Sequence, residues 1–352
     1  MKAPSHLFER YLMVLRSCYI FLCLTALSVA ADNPPPVATG SALSELGATP
    51  PAPPVGFATS DEAFDAVRKG KVPVANRFAP IPPNVEITRD VAYGHTGQRS
   101  LLLDLYSPKD ANGSSPAIIF IHGGSWRGGK KEDYRPYALH YAAMGYVVAS
   151  IQYRLSGEAP FPAAVHDVKA AVRYMRAEAS RHGVDPKRIG VAGGSAGGHL
   201  SMMVAYSADV KELDGDSGHP AVSSQVRCIV NLYGPTDMTS AYAQAVSRTN
   251  KAVSAFFEGT YDEHPDAYAA GSPIRYLTQD DPPTLILHGT IDALVPIDQA
   301  DILAAKLTEL KVPYVYDRLP GWPHGMDVVK DVHERCLWFM DRFFDRYLRQ
   351  TK

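Results

Sequence analysis

Five short apolar runs, set between segments of helical periodicity, constrain the fold of this chain more than any other feature. They are 117–121 (AIIFI), 146–151 (YVVASI), 188–192 (RIGVA), 226–232 (VRCIVNL) and 284–287 (TLIL). A strand with one wet face alternates apolar and polar residues, whereas a strand covered on both faces is apolar at consecutive positions. Between the runs the period changes. Val165, Val168, Val172 and Met175 fall on one helical face, with Gly183 expected to end that helix and Asp185-Pro186 to turn into the next strand. Ala300, Leu303, Leu307 and Leu310 mark another helix, with Asp298 expected as its N-cap, and Leu337, Met340, Phe344 and Tyr347 a last one. Alternating strands and helices predict an α/β fold: a mostly parallel sheet with helices on both faces. Two alternating segments, 86–93 and 99–106, flank a His95-Thr96-Gly97 turn and predict a leading antiparallel hairpin that makes the sheet mixed.

The catalytic domain is expected over residues 85–350, with 235–276 as a cap insertion that lacks one clean helix and covers the carboxyl ends of the strands. Residues 31–84 read as a Pro-rich linker and lead-in, with a short helix near 61–69. Ahead of them Lys2, Arg10 and Arg16 lead an apolar stretch over 18–30. It is shorter than the ~20 residues of a bilayer span, and Ser28-Val29-Ala30 fits the small-x-small cleavage rule. A signal peptide over 1–30, cleaved after Ala30 or Ala31, is the expectation. The chain would then be secreted or periplasmic, with no stable membrane insertion after cleavage; an uncleaved anchor is the alternative. Cys228 and Cys336 would remain, either paired or as two buried thiols. A net charge of −2 without a basic stripe gives no support to nucleic-acid binding.

Gly193-Gly194-Ser195-Ala196-Gly197 is a G-x-S-x-G sequence between the run RIGVA and a helical segment. A strand-to-helix turn of this kind exposes the serine hydroxyl at the tip of the sheet, beside the free N–H groups of a helix N-terminus. A serine needs a base, and the base needs an acid to fix its tautomer. Asp292, in His288-Gly289-Thr290-Ile291-Asp292, follows the run TLIL, and His324, in Pro323-His324-Gly325, follows 315–319 (VYDRL). The order Ser, Asp, His makes Ser195 the nucleophile, Asp292 the acid and His324 the base. Asp237 is a rival acid, His288 is placed to orient the acid loop, His199 is expected to be packed, and His333 to lie on the surface. His122-Gly123-Gly124-Ser125-Trp126 follows the run AIIFI and supplies an oxyanion loop. One N–H donor is expected from Gly124 or Ser125 and a second from Ala196. His122 shapes this loop, and Trp126 either lines the acyl side of the pocket as a substrate-binding residue or packs. No metal-ligand spacing and no dinucleotide or P-loop glycine pattern is present in the sequence, so no cofactor and no metal are expected.

Together HGGSW, GGSAGGH, HGTIDALVP and PHG resemble the α/β-hydrolase esterases, in the branch of feruloyl-esterase-like, acetyl-esterase-like and lipase-like carboxylesterases. The resemblance runs from about residue 85 to the C-terminus. It implies a serine carboxylic ester hydrolase working through an acyl-enzyme, with Ser195, Asp292 and His324 as triad and the oxyanion hole at Gly124, Ser125 and Ala196. Ser125 stands where hormone-sensitive-lipase-like esterases carry a third glycine, a feature also similar to aryl formamidases. The expected partner is a small-molecule or polysaccharide-linked ester, such as an acetyl or hydroxycinnamoyl ester of a carbohydrate. Two alternatives stand: an amide hydrolase (aryl formamidase or peptidase) on the same triad, and a non-catalytic binding protein of the same fold.

Overall fold

The computed structural model describes residues 38–111 and 114–349, so the signal peptide expected over 1–30 lies outside the described residues. The strands are β1 (Ala38–Thr39), β2 (Val85–Thr96), β3 (Arg99–Pro108), β4 (Ser115–Ile121), β5 (Val147–Ile151), β6 (Val184–Gly194), β7 (Cys228–Leu232), β8 (Thr284–Gly289) and β9 (Tyr314–Leu319). They form one sheet in the order β1-β9-β8-β7-β6-β4-β5-β3-β2. The block from β5 through β4, β6, β7 and β8 to β9 is parallel, while the β2–β3 hairpin and β1 add antiparallel edges. The helices are α1 (Ser60–Arg68), α2 (Arg135–Ala143), α3 (Ala163–Ala177), α4 (Ala196–Tyr206), α5 (Ala241–Thr249), α6 (Lys251–Phe256), α7 (Pro265–Ala270), α8 (Asp298–Leu310) and α9 (Lys330–Phe344). This is the α/β-hydrolase fold.

The consecutive apolar runs have a direct physical cause. Ala117, Ile119 and Ile121 of β4 enter one core with Val168 of α3, Met203 of α4 and Leu303 of α8. Ile118 and Phe120 enter the other with Tyr137 of α2 and Phe339 of α9. Alternate side chains point to opposite faces, and helices dry both, so every position of the strand must be apolar. Each fully buried aliphatic or aromatic side chain contributes about 1.5–3 kcal/mol relative to exposure.

Three local expectations are corrected, and the open question of whether Cys228 and Cys336 pair is decided. The helix carrying Val165 to Met175 ends at Ala177, and a separate turn leads to Gly183 (φ 68°). Asp298 is the first residue of α8 rather than its cap; Ile297 holds the cap position without a side-chain bond. Cys228 and Cys336 are free buried thiols. Residues 38–84 are not an extended linker. β1 pairs with β9, Arg335 donates to the Pro51 carbonyl, and the Trp322 indole donates to the Pro54 carbonyl at 3.2 Å. The prolines keep the chain extended, and their carbonyls remain free to accept bonds from the domain.

The insertion between β7 and β8 carries the three short helices α5, α6 and α7. Its aromatic residues Phe256, Phe257 and Tyr268 join the core on the α3/α4 side of the sheet.

Candidate active site

Strand β6 ends at Gly194, and Ser195 adopts φ 57°, ψ −124° before α4 begins at Ala196. This conformation is costly for a residue with a Cβ, about 1–3 kcal/mol, and persists only where the surroundings impose it. They do: Ser195 N–H donates to the Leu232 carbonyl at 2.9 Å, and a Cβ on Gly197 would lie 2.0 Å from the Ile121 carbonyl oxygen. The last glycine of the motif therefore lets α4 sit directly on the end of β4.

The loops after β8 and β9 bring the other two groups to that serine. Ser195 Oγ donates to His324 Nε2 at 2.9 Å, and His324 Nδ1 donates to Asp292 Oδ2 at 2.7 Å. Asp292 Oδ1 accepts the N–H groups of Leu294 and Val295, both at 2.9 Å. The buried His288 lies beside the same carboxylate, Nε2 to Oδ2 at 3.3 Å, and donates to the Val295 carbonyl at 2.8 Å. Burial alone would raise the Asp292 carboxyl, but His324 and His288 outweigh it and hold it well below the usual carboxylate range. Asp237, the rival acid, accepts from the N–H and hydroxyl of Thr239 instead.

Gly124, Ser125 and Trp126 all have positive φ (109°, 52° and 56°), which turns this loop across the tip of β4 toward Ser195. Among the described residues, the N–H groups of Gly124, Ser125 and Ala196 carry no backbone or side-chain acceptor. A Cβ on Gly123 would come 3.2 Å from the Ser195 Cβ and 2.7 Å from the Gly194 carbonyl oxygen, which measures how closely the loop meets the nucleophile. His122 holds its own loop, Nδ1 to the Gly123 carbonyl at 2.9 Å, with its ring on Tyr153.

Trp126 is corrected from a substrate-binding residue to a packing residue. It is 3% exposed, stacks on Phe256 at 4.5 Å and donates through Nε1 to His199 Nδ1 at 3.3 Å. His199 passes the link on to the Gly271 carbonyl at 2.7 Å, and burial lowers its pKa to about 4, so it is neutral near pH 7.

A cavity of about 540 Å³ opens over Ser195 and His324. Its walls include Gly123, Gly124 and Ser125, but no residue of 235–276, which removes the insertion as a direct wall of this space. His333 is also corrected: it lines the cavity, with its ring 4.5 Å from Tyr137. Sequence reasoning missed Tyr233 and Asp327. The Tyr233 ring packs edge-on against His324 at 4.8 Å, and its hydroxyl donates to Asp327, which also accepts from Tyr137 at 3.2 Å. The one signal in the sequence is the Tyr233-Gly234-Pro235 turn at the end of β7, where Tyr233 adopts φ 43°. Among the described residues, no group of three or more His, Cys, Asp or Glu is placed to hold a metal ion.

A BD-FAE family model matches residues 103–307, more than half of the chain. This chain belongs to the BD-FAE family. The matched segment of this BD-FAE chain carries Ser195 and Asp292 but stops short of His324. Esterase LipC of Mycobacterium tuberculosis is 33% identical over 68% of this chain and 60% of its own length. The BD-FAE chain thus spans less than two thirds of that curated relative. Among solved structures, Thermogutta terrifontis esterase 2 phosphonylated by sarin is 25% identical, with a TM-score of 0.66 over 78% of this chain and 100% of its own. A truncated carbohydrate esterase from gut microbiota is 26% identical, with a TM-score of 0.62 over 77% of this chain and 99% of its own.

Proposed function

We propose that this BD-FAE chain is a serine carboxylic ester hydrolase that works through an acyl-enzyme. The observation that carries the reading is the continuous hydrogen-bond path from Ser195 through His324 to Asp292, beside N–H groups with no other acceptor. Ser195 Oγ attacks the ester carbonyl while its proton passes to His324 Nε2. The oxyanion is received by N–H groups of the Gly124–Ser125 turn and of Ala196. His324 then protonates the departing alcohol, leaving the acyl group on Ser195. A water molecule, deprotonated by the same imidazole, releases the acid and restores the hydroxyl. Asp292 fixes the His324 tautomer and stabilises its charged form.

The substrate is a small ester. Its alcohol part is a carbohydrate in our reading, supported by likeness to the gut carbohydrate esterase. Export through the stretch at 1–30 is part of the same proposal, supported by its basic lead and cleavage pattern. The test compares wild type with Ser195→Ala on p-nitrophenyl acetate, methyl ferulate, acetylated xylan and N-formylkynurenine, alongside a fluorophosphonate probe. Ester turnover and labelling that both vanish in Ser195→Ala are expected. Undiminished turnover in the variant overturns the reading, and turnover confined to the formamide reassigns the chain as an amide hydrolase.

A further inference from the structure

The segment 54–78 lies wholly outside the matched span 103–307, yet it is bonded to the acid loop, to the base loop and to the turn that follows the oxyanion loop. At the acid loop, Ser60 Oγ donates to the Ile291 carbonyl. At the base loop, Phe57 N–H donates to the Gly321 carbonyl at 2.7 Å, and its ring meets Trp322 edge-on at 5.5 Å. Just past His324, Val74 pairs with Val329, Ala75 N–H donates to the Val328 carbonyl at 2.9 Å, and Lys330 N–H donates to the Pro73 carbonyl at 2.9 Å. Beyond the oxyanion loop, Arg77 donates to Asp133 Oδ1 at 2.9 Å, and Arg135 donates to the Arg77 carbonyl at 3.2 Å. The segment is a strap across the catalytic end of the sheet.

Its inner surface is largely apolar, with Asn76 and Arg77 as the polar members. Phe64 and Val67 of α1, with Val74 and Phe78, face the cavity that also exposes Ser195, and Tyr134 and Met326 stand among the other walls. Phe78 is 82% exposed and Val74 44% exposed although both are large apolar side chains. Exposed apolar groups at the rim of a concave site gain free energy when a ligand covers them, and an acetyl group is too small to reach across a cavity of about 540 Å³.

We infer that this strap, and not the insertion at 235–276, selects the substrate, and that it takes an ester with an extended apolar group, aliphatic or aromatic. The inference rests on the ester-hydrolase reading and assigns that site its substrate class. Phe64 and Val67 form the wall on which the apolar group lies, and Phe78 covers its outer end. The apolar group is the acyl part, since the alcohol part is the carbohydrate of the proposed function.

The experiment measures kcat/KM of the full chain on p-nitrophenyl octanoate and on octyl acetate, each as a ratio to p-nitrophenyl acetate. Wild type, Phe64→Ala, Phe78→Ala and the insertion variant Val246→Ala are compared. Removing one apolar group from a specificity pocket changes discrimination by about tenfold or more, so Phe64→Ala is expected to lower the octanoate ratio by roughly that factor. A fall confined to the octyl acetate ratio overturns the acyl assignment. Phe78→Ala, at a site too exposed to matter for folding, is expected to lower the same ratio, and Val246→Ala to leave both ratios unchanged. Ratios that stay within twofold in both strap variants, or a Val246→Ala shift as large as that of Phe64→Ala, overturn the inference. Binding of p-nitrophenyl octanoate to Ser195→Ala, read by quenching of tryptophan fluorescence, separates the two failures. Absence of ester turnover with octanoate binding weakened by Phe64→Ala removes the hydrolase reading and keeps the apolar wall; binding unchanged by Phe64→Ala removes the wall.

Discussion

His288 Nε2 sits 3.3 Å from Asp292 Oδ2 and bonds the Val295 carbonyl at 2.8 Å, so one buried imidazole braces both the acid and the loop that carries it. His288 and Asp292 are four residues apart on either side of the end of β8, and both side chains are fully shielded from water. A bond to a charged group is worth about 1.5–3 kcal/mol, which corresponds to roughly ten- to a hundredfold in rate. His288→Leu is therefore expected to lower kcat by that factor with KM little changed. A kcat equal to that of wild type would show that the Leu294 and Val295 amides brace the carboxylate by themselves.

Asp292→Asn removes the acceptor that fixes the His324 tautomer, while the side chain keeps its size. In a comparable relay this exchange lowers kcat by about 10⁴-fold, and a loss of that order is the expected outcome in steady-state ester hydrolysis. A loss below tenfold would mean that another carboxylate, with Asp237 first among the rivals, does the work.

Gly123→Ala tests the packing of the oxyanion loop. The added Cβ would stand 2.7 Å from the Gly194 carbonyl oxygen and 3.2 Å from the Ser195 Cβ, both attached to groups that cannot yield. The loop must move away from the nucleophile, which weakens its donors toward the oxyanion. The expected loss in kcat is about 10²–10³-fold, the effect of losing one donor, with circular dichroism unchanged.

His199 makes stability depend on pH. Its folded-state pKa is lowered to about 4 by burial, against an ordinary value near 6.5. Between these values the unfolded chain binds a proton that the folded chain refuses, so stability falls as pH drops from about 6.5 to about 4. The largest contribution is roughly 3 kcal/mol for this one group. Urea unfolding of wild type at pH 7 and pH 4.5 is expected to show this loss, and His199→Gln a smaller one. Equal losses in both proteins would place the pH dependence on other groups.

Arg335 and Asp317 form a buried two-pronged pair at 2.8 Å for each bond, and Arg335 also holds the Pro51 carbonyl. Arg335→Met leaves the carboxylate buried without its partner. The expected destabilisation is about 3–5 kcal/mol, or a fall in Tm of roughly 10 °C in a chain of this size. The double variant Arg335→Met, Asp317→Leu is expected to recover most of that fall, because both charges are then gone.

The sequence by itself determined the sheet and the placement of Ser195, Asp292 and His324. Consecutive apolar residues at 117–121 can be satisfied only when both faces are dry, and Ser195, Asp292 and His324 each stand directly after a strand in a fixed chain order, so local pattern places them at one end of the sheet. The tertiary structure alone decided what surrounds them. Trp126 follows the oxyanion loop as a pocket residue does, yet its direction is set by Phe256, which lies 130 residues further along. Residues 54–78 leave little of their role in the sequence because, beyond the local bonds of α1, they are held by loops more than two hundred residues away and by the 133–135 turn. Short-range pattern records only the environment that repeats along a segment. Contacts made once, between distant segments, leave no period in the sequence, and the wall of the cavity is built from such contacts.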